Sequence, residues 1–242
     1  MLDIRNQVLL GDGIEGIKSI PKGSVDLVFT DPPFGLSFTG KPSNYNRKRS
    51  LVVGHYKDWS PMDYYKKTNS WVASATTTLK TGGTLVVISG WNRLADIENA
   101  AIRFGLTQFN HIIWKYQFGV YTKNTFVNSH YHILFYSKGK THTFNRRFED
   151  TKKDYADRED VWLIKKPYQT GKLKTPNKLP EELVEKVLFY VSNQGDLVLD
   201  PFTGSETIPK VAKRISRDFL AFEVDPETHK YAVRNVYEDN LV

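Results

Sequence analysis

The sequence predicts an α/β fold, with a mostly parallel sheet covered by helices on both faces and an antiparallel hairpin at one edge. Short apolar runs alternate with helix-length segments along the chain, which is the pattern of such sheets. Most of the runs are rich in Val, Ile, Leu and Phe without polar alternation, as expected of strands buried on both faces. A chain of 242 residues, 40% hydrophobic and 25% charged, has the composition of a folded protein.

The expected elements can be placed in chain order. Strands are predicted at Gln7–Leu10, Val25–Thr30, Thr84–Ser89, His111–Tyr116, His132–Ser137, Asp196–Leu199 and Phe219–Glu223. Helices are predicted at Pro61–Lys80, Asn92–Phe104, Pro180–Asn193, Ser205–Ile215 and Pro226–Glu238. Three of these helices carry a proline in the first turn, where its missing N–H is not needed. The strand-like runs around Gly119–Asn128 are expected to pair antiparallel at a sheet edge.

The composition excludes several classes of protein and site. The chain has no cysteine, so it has no disulfide scaffold, cysteine zinc site or thiol nucleophile. No apolar run approaches the roughly 18 residues of a membrane span, and the N-terminus lacks the basic-then-apolar pattern of a signal peptide. We therefore expect a cytoplasmic protein that forms a single domain over residues 1–242, without a metal site.

The positive charge is concentrated in two connecting segments. The formal net charge is +7, of which Lys41–Lys57 carries +5 and Lys138–Lys178 carries +6, so the rest of the chain carries −4. These segments overlap two irregular stretches, 35–60 and 138–177, that are long for loops of a compact domain. Polyanion binding is one interpretation, because Lys and Arg release counterions from phosphates. A solvated, lysine-rich surface is the other.

A glycine pattern near the N-terminus offers one functional alternative. The sequence GDGIEG at residues 11–16 matches the G-x-G-x-x-G of dinucleotide-binding folds, and Asp31 closes the next strand where a ribose-binding acid would fall. Only eight residues separate Gly16 from Val25, which leaves room for a crossover helix of about two turns. A nicotinamide or flavin dinucleotide fold therefore remains an alternative, weakened by this short crossover and by the two prolines after Asp31.

The first motif with chemical content is a buried strand that ends in Asp31-Pro32-Pro33-Phe34. The two prolines fix φ twice and remove two N–H donors, which leaves the Asp31 carboxylate and the Pro32 carbonyl as a stiff cluster of acceptors beside an aromatic face. Such a cluster suits an exocyclic amino group on a flat ring that stacks. A strand-terminating turn with a capping aspartate is the structural alternative.

The second motif is a strand that runs into the acidic turn DPFTGS at residues 200–205. Asp200 at the end of a strand can hold a cationic amino group, and Gly204 lets a ligand approach the backbone. Roughly twenty residues later, another strand ends at Glu223, in the place of a ribose-binding acid. Together these features favour a nucleoside-cofactor site, and an ordinary βαβ unit with a capped helix is the alternative.

The two motifs resemble motifs IV and I of the S-adenosylmethionine-dependent amino-methyltransferases of DNA, which methylate N6 of adenine or N4 of cytosine. Because the catalytic motif precedes the cofactor motif, their order resembles the permuted β class. The resemblance extends over nearly the whole chain, through Asn6–Asp12, Thr81–Thr84, Ile112–Lys115, Ser129–Lys138 and Lys174–Leu183. It implies a Rossmann-like methyltransferase sheet with circularly permuted motif order, and a role in DNA methylation and restriction-modification.

The resemblance also implies roles for individual residues. Asp31 and the Pro32 carbonyl would accept the two hydrogens of the target amino group, and Phe34 would stack on a base flipped out of the duplex. Expected cofactor-binding residues are Asp12 for the adenine amino group, Glu223 for the ribose, Asp200 for the ammonium, Lys178 for the carboxylate, and Pro201, Phe202, Thr203, Gly204 and Ser205 for the turn. Expected DNA-binding residues, mostly on phosphates, are Tyr45, Arg47, Lys48, Arg49, Arg146, Arg147, Lys152, Lys153, Lys165 and Lys166.

The sequence departs from the family pattern at a few positions. Glu206 replaces a small residue near the start of a helix, where it favours the helix dipole but can repel the cofactor carboxylate. Phe34 stands where tyrosine is usual, Thr175 where histidine is common, and Tyr131 where glutamate is common. None of these changes affects Asp31.

Several functions stay open at this point. An adenine-N6 methyltransferase is favoured, because Asp at the head of the catalytic motif is commoner among adenine enzymes, and an N4-cytosine enzyme is the alternative. A non-catalytic or partner-dependent DNA-binding relative is a second alternative, and an RNA substrate is a third. The resemblance implies S-adenosylmethionine as cofactor and DNA as partner, with a homodimer or partner subunit as options, in a nucleoid-associated or phage-encoded protein.

Overall fold

The structure is a computed structural model that describes residues 4–35, 58–117, 119, 123–146, 159–167, 178–204 and 206–238. The strands of these residues are β1 (Gln7–Leu10), β2 (Val25–Thr30), β3 (Leu79–Ser89), β4 (Thr107–Lys115), β5 (His130–Ser137), β6 (Val161–Leu163), β7 (Leu197–Asp200) and β8 (Asp218–Glu223). The helices are α1 (Gly13–Gly16), α2 (Pro61–Thr78), α3 (Leu94–Arg103), α4 (Glu181–Val191), α5 (Thr207–Arg214) and α6 (Pro226–Tyr237).

The strands form one sheet in the order β1-β8-β7-β2-β3-β5-β4-β6. The first five of these run parallel, and β5 is antiparallel to both β3 and β4. The predicted mostly parallel sheet and its antiparallel pair are therefore confirmed. The pair is not outermost, because the three-residue strand β6, which the sequence did not predict, lies parallel to β4 beyond it.

Two apolar layers cover the sheet, one on each face. Successive residues of β2 show the alternation, since Phe29 packs in the layer with α4, α5 and α6, and Val28 packs in the layer with α1, α2 and α3. The predicted helices are confirmed to within two residues at each end. The main differences in the strands are at β3 and β4, which start earlier than predicted, because Leu79 is fully buried and pairs with Val25.

The topology brings the two sequence motifs to one edge of the sheet. Strands β2 and β7 are parallel neighbours, so Asp31, directly after β2, and Asp200, the last residue of β7, lie at the same carboxyl edge. From β7 the chain winds outward through β8, and from β2 it winds the other way through β3. The two strands therefore flank the switch point at which open α/β sheets bind ligands.

The glycine pattern at residues 11–16 serves packing in this fold. Strand β1 is separated from β2 by β8 and β7, whereas a dinucleotide-binding βαβ unit places its first two strands side by side. A Cβ at Gly13 would lie 1.8 Å from the carbonyl oxygen of Pro201, and one at Gly16 would lie 2.3 Å from the ring of Phe222. The two glycines thus allow close contact with the turn after β7 and with β8, and the dinucleotide alternative loses its support.

Candidate active site

A buried hydrogen bond joins the two motif strands. Thr30 Oγ1, at the end of β2, donates to Asp200 Oδ1 over 2.8 Å. Thr30 is fully buried and Asp200 is 2% exposed. Because Thr30 directly precedes Asp31, this bond fixes the Asp31 turn against the carboxylate that ends β7.

One carboxylate oxygen of Asp31, Oδ1, is buried without a hydrogen-bond donor from the described residues. Burial and, to a smaller extent, the nearby Asp200 carboxylate raise the pKa of Asp31 to about 8, and the Lys166 ammonium opposes both effects. A buried carboxylate oxygen without a donor is unfavourable by itself, so this arrangement suits the N–H of a bound ligand.

The remainder of the Asp31 turn is held by polar contacts from other elements. Arg93 Nη2 donates to the Gly35 carbonyl over 2.8 Å, and the Gly35 N–H donates to Asp58 Oδ1 over 2.8 Å. Phe34 is 7% exposed, and its ring centroid lies 5.3 Å from that of Tyr131. Arg93 was not among the predicted site residues. Its position just after β3, at the same edge of the sheet as Asp31, could have indicated it.

The Asp200 carboxylate has the surroundings of a cation site. Burial raises its pKa to about 7, while hydrogen bonds from Thr30 and the Phe202 N–H favour its charged form. The Phe202 ring lies edge-on to Trp59 and Trp71, at centroid distances of 5.4 and 5.9 Å. The buried acid and the aromatic cluster therefore occupy the same turn.

Glu223 is the last residue of β8, and Asp12 lies two residues after β1, the edge strand beside β8. Burial raises the pKa of Glu223, whose Oε1 accepts a 2.8 Å bond from the Asp225 N–H. The Gly11 N–H donates to the Glu223 carbonyl over 2.8 Å, which ties the end of β1 to the end of β8. Asp12 is exposed, and its Oδ1 caps α1 by accepting from the Ile14 N–H over 2.7 Å.

Glu206 is fully buried at the start of α5. Its φ is +75°, a left-handed conformation that glycine adopts more readily than other residues. Lys178 Nζ lies 3.1 Å from its Oε1. The lysine expected to meet a cofactor carboxylate is therefore already paired with a carboxylate of this chain. Gly204, at φ +51°, has open space around its Cα, as the close approach of a ligand requires.

The expected DNA-binding residues are only partly described. Arg146 and Lys165 are exposed, and Lys166 is half-buried. The DNA-contact roles of all three residues stay a prediction. Several predicted residues lie outside the described residues. They are Tyr45, Arg47, Lys48, Arg49, Arg147, Lys152 and Lys153 of the DNA-binding set, Ser205 of the cofactor turn, and Thr175.

A comparison with protein families decides where this site belongs. The model of the family described as DNA methylase, of the N6/N4 type, matches residues 25–234. The chain belongs to this DNA methylase family. The match includes both the Asp31 turn and the Asp200 strand, so it confirms the family that these motifs indicated. Assignment to the permuted β class stays a prediction.

Two curated proteins resemble this chain over most of its length. The type II methyltransferase M.HinfI of Haemophilus influenzae is 28% identical over 236 residues, which cover 91% of this chain and 65% of the relative. The type II methyltransferase M.BamHI of Bacillus amyloliquefaciens is 30% identical over 240 residues, which cover 88% of this chain and 53% of the relative. The chain thus spans less than two thirds of the length of either relative.

Several solved structures share the fold of this chain. The PvuII DNA methyltransferase, described as cytosine-N4-specific, has a TM-score of 0.72 at 19% identity, and the match covers 98% of this chain and 88% of that chain. The complex of M1.HpyAVI with SAM has a TM-score of 0.70 at 22% identity, and covers 96% and 98%. These similarities confirm the predicted methyltransferase-like sheet. None of the helices in the described ranges is long and apolar enough to cross a membrane.

Proposed function

We propose that this chain transfers the methyl group of S-adenosylmethionine to the exocyclic amino group of a base in DNA, with N6 of adenine favoured over N4 of cytosine. The observation that carries the proposal is the buried Oδ1 of Asp31, an acceptor to which no described residue donates, next to a turn that Thr30 ties to Asp200. Asp31, which can accept hydrogen bonds from the target amine, and Asp200, which can bind the ammonium of the cofactor, thus lie at the ends of adjacent strands. Transfer of a methyl group from a sulfonium to an amine requires such proximity.

The residues of the second turn fit this cofactor. Asp200 supplies a buried carboxylate for the ammonium, Glu223 supplies acceptors for the ribose hydroxyls, and the Phe202 ring with its two tryptophan neighbours supplies an apolar, aromatic wall. The roles of Asp12, Lys178, Pro201, Thr203, Gly204 and Ser205 in cofactor binding are part of the proposal. When bound, the cofactor supplies an electrophilic methyl group on sulfur.

Asp31 and the Pro32 carbonyl provide the chemistry on the side of the base. The lone pair of the target nitrogen is delocalised into the ring, so accepting its two hydrogens favours a more tetrahedral, more nucleophilic nitrogen. The ionised carboxylate of Asp31 then offsets the positive charge that develops on this nitrogen in a site from which water is excluded. Phe34 packs on the flipped base, and fixing both reactants at one sheet edge lowers the entropy barrier.

Fewer observations bear on which base is methylated. The Asp that heads the catalytic motif supports adenine, and N4 of cytosine is the second candidate, because one of the solved structures with this fold is described as cytosine-N4-specific. A partner-dependent or non-catalytic relative is the third, because Glu206 pairs with Lys178. In each case DNA is the proposed partner, and the exposed Arg146 and Lys165 are proposed phosphate contacts.

The test is methyl transfer from labelled S-adenosylmethionine to unmethylated genomic DNA, followed by digestion to nucleosides. Label in N6-methyladenine supports the leading proposal, and label in N4-methylcytosine replaces it with the second. Asp31→Asn is the matched control, because it keeps the shape of the side chain and removes its charge; it should abolish labelling and leave cofactor binding in calorimetry intact. Binding of cofactor without labelling in the wild type would favour the partner-dependent relative.

A further inference from the structure

Lys166 lies in a cage of aromatic rings. Its Nζ is 4.0 Å from the ring centroid of Tyr116, 4.4 Å from that of Tyr131 and 6.0 Å from that of Trp114. It also donates to the Tyr131 hydroxyl over 3.3 Å. Cation–π contacts of this kind strengthen as the cation loses water, so the cage stabilises an ammonium group that is half-buried.

The main chain at Lys166 is fixed by the sheet. The Gln117 side chain bonds it twice, since Gln117 Oε1 accepts from the Lys166 N–H over 2.8 Å and Gln117 Nε2 donates to the Lys166 carbonyl over 3.1 Å. Two residues earlier, the Ile164 carbonyl accepts from Trp114 Nε1 over 2.8 Å. The segment after β6 is therefore anchored to β4, which sets Lys166 inward while its neighbour Lys165 is exposed.

The cage connects Lys166 to the Asp31 turn in two ways. The Tyr131 ring, on which the ammonium rests, is in contact with the Phe34 ring at 5.3 Å. The Lys166 ammonium also acts on the Asp31 carboxylate, whose pKa it lowers against the opposing effects of burial and of Asp200. Among the described residues, the charged groups that act on Asp31 are thus Asp200 and Lys166, and Asp31 is the charged group that acts on Lys166.

The two acids at this edge of the sheet would repel each other when ionised, and the Lys166 ammonium opposes that repulsion. Asp31 and Asp200 are buried acids with like charge, and two such groups oppose each other's ionisation. A protonated Asp31 would accept fewer hydrogens from an amino group and would carry no charge to offset the one that develops during methyl transfer. The Lys166 ammonium favours the ionised form of Asp31 without a contact to DNA. Burial lowers the pKa of Lys166 itself to about 8, and the Asp31 carboxylate opposes that effect.

We propose that Lys166 is a positioning residue of the methyl-transfer site, which favours the ionised form of Asp31 beside Asp200 and, through Tyr131, fixes the ring of Phe34. This inference rests on the proposed function. It assigns Lys166 a role inside the site in place of the phosphate contact that the sequence predicted.

The test compares Lys166→Met, which keeps the length of the side chain without its charge, with Lys166→Arg and with Lys165→Met as the matched exposed control. Single-turnover methyl transfer is measured from about pH 6 to 9.5. For Lys166→Met we expect the rising limb of the rate profile to move by about one pH unit to higher pH, with a roughly tenfold loss at pH 7 that recovers at high pH. Lys166→Arg should keep most of the wild-type profile, and Lys165→Met should leave its pH dependence unchanged.

Other outcomes overturn the inference. An equal loss at every pH, together with a DNA affinity that has become less dependent on salt, would make Lys166 a phosphate contact. An unchanged rate profile would show that the charge does not act on Asp31. If Lys166→Met does not fold, as judged by circular dichroism, Tyr131→Phe removes the hydroxyl that accepts from Lys166 and should move the profile in the same direction by a smaller amount.

A second readout separates this inference from the proposed function. Carbon-13 labelling of aspartate carboxyls, with Asp31→Asn to assign the signal, allows Asp31 to be titrated by NMR in the cofactor-free protein. The Asp31 signal should titrate at higher pH in Lys166→Met than in the wild type. A shift without methyl transfer in the wild type would refute the function and leave the electrostatic role; methyl transfer without a shift would refute only the role of Lys166.

Discussion

Thr30 Oγ1 and Asp200 Oδ1 share a buried hydrogen bond of 2.8 Å that links the Asp31 turn to the strand that ends at Asp200. Asp200 accepts a second, 3.2 Å bond from the Phe202 N–H. The threonine donor thus acts on two parts of the site, since it stabilises the charged form of Asp200 and fixes the residue before Asp31.

Thr30→Val should therefore weaken both stability and cofactor binding. The variant leaves the buried carboxylate short of a donor, which costs roughly 1–3 kcal/mol, and raises the pKa of Asp200 so that less of it is ionised at neutral pH. Urea unfolding and calorimetry with S-adenosylmethionine measure the two effects. Thr30→Ser keeps the hydroxyl and should behave almost as the wild type; equal losses in both variants would point to packing of the methyl group.

The pH dependence of stability should reveal the buried acids. Burial raises the pKa of Asp200 to about 7 and that of Asp31 to about 8, above the value of about 4 in an unfolded chain. The folded protein then binds more protons than the unfolded chain between these limits, so the stability that these groups contribute is present at low pH and is lost as the pH rises through about 8.

Asp31→Asn removes one of these titrations. We expect the free energy of unfolding of this variant to decline less steeply than that of the wild type between about pH 5 and 8, in a series of urea titrations. Asp63→Asn, at an exposed carboxylate, is the control and should keep the wild-type slope. Parallel slopes for all three proteins would contradict a raised pKa for Asp31.

Gly13→Ala should be strongly destabilising, because its Cβ would lie 1.8 Å from the Pro201 carbonyl oxygen, a backbone atom that cannot move aside alone. Overpacking of this kind typically costs about 1–3 kcal/mol, and here it also displaces the turn after β7. Gly11→Ala, where nothing lies within 4 Å of the added atom, is the matched control. Thermal unfolding should separate the two, and a similar Tm for both would contradict the close contact.

Glu206→Gly should tighten cofactor binding. The substitution suits the left-handed backbone at φ +75° and frees Lys178, now 3.1 Å from the Glu206 carboxylate, to meet the carboxylate of the cofactor. We expect a Kd about tenfold lower, which corresponds to about 1.4 kcal/mol, measured by calorimetry. The gain should disappear in the double variant with Lys178→Met. Weaker binding by Glu206→Gly would instead show that Glu206 holds the ammonium of the cofactor.

The sequence predicted those parts of the structure that depend on local patterns. Strand β2 has the predicted bounds, Val25–Thr30, because four of its six residues are apolar and two prolines follow Asp31 directly after it. Strand β6 was missed because only Trp162 of its three residues is buried, while Val161 and Leu163 are exposed. Three residues with one buried side chain give neither the period nor the length of a strand.

The contacts of the site depend on residues that are far apart in the chain. Arg93 reaches the Gly35 carbonyl from another element, and Gln117 fixes Lys166 across 49 positions, so neither role is visible in a local motif. Lys166 shows the limit most clearly: a lysine in a basic, irregular segment suggests a phosphate contact, and only the fold reveals the aromatic cage around it.

The pairing of β2 with β7 also fixes a length scale for the proposed reaction. Adjacent strands of a sheet lie about 4.8 Å apart, so the separation between the amine side and the sulfonium side is set by backbone hydrogen bonds and is independent of the loops. The loops and inserts that surround the site can then diverge, and with them the DNA sequence that is recognised, while the reacting groups keep their spacing. Under the proposed function, the sheet sets the spacing of the reacting groups, and the loops set which DNA sequence is recognised.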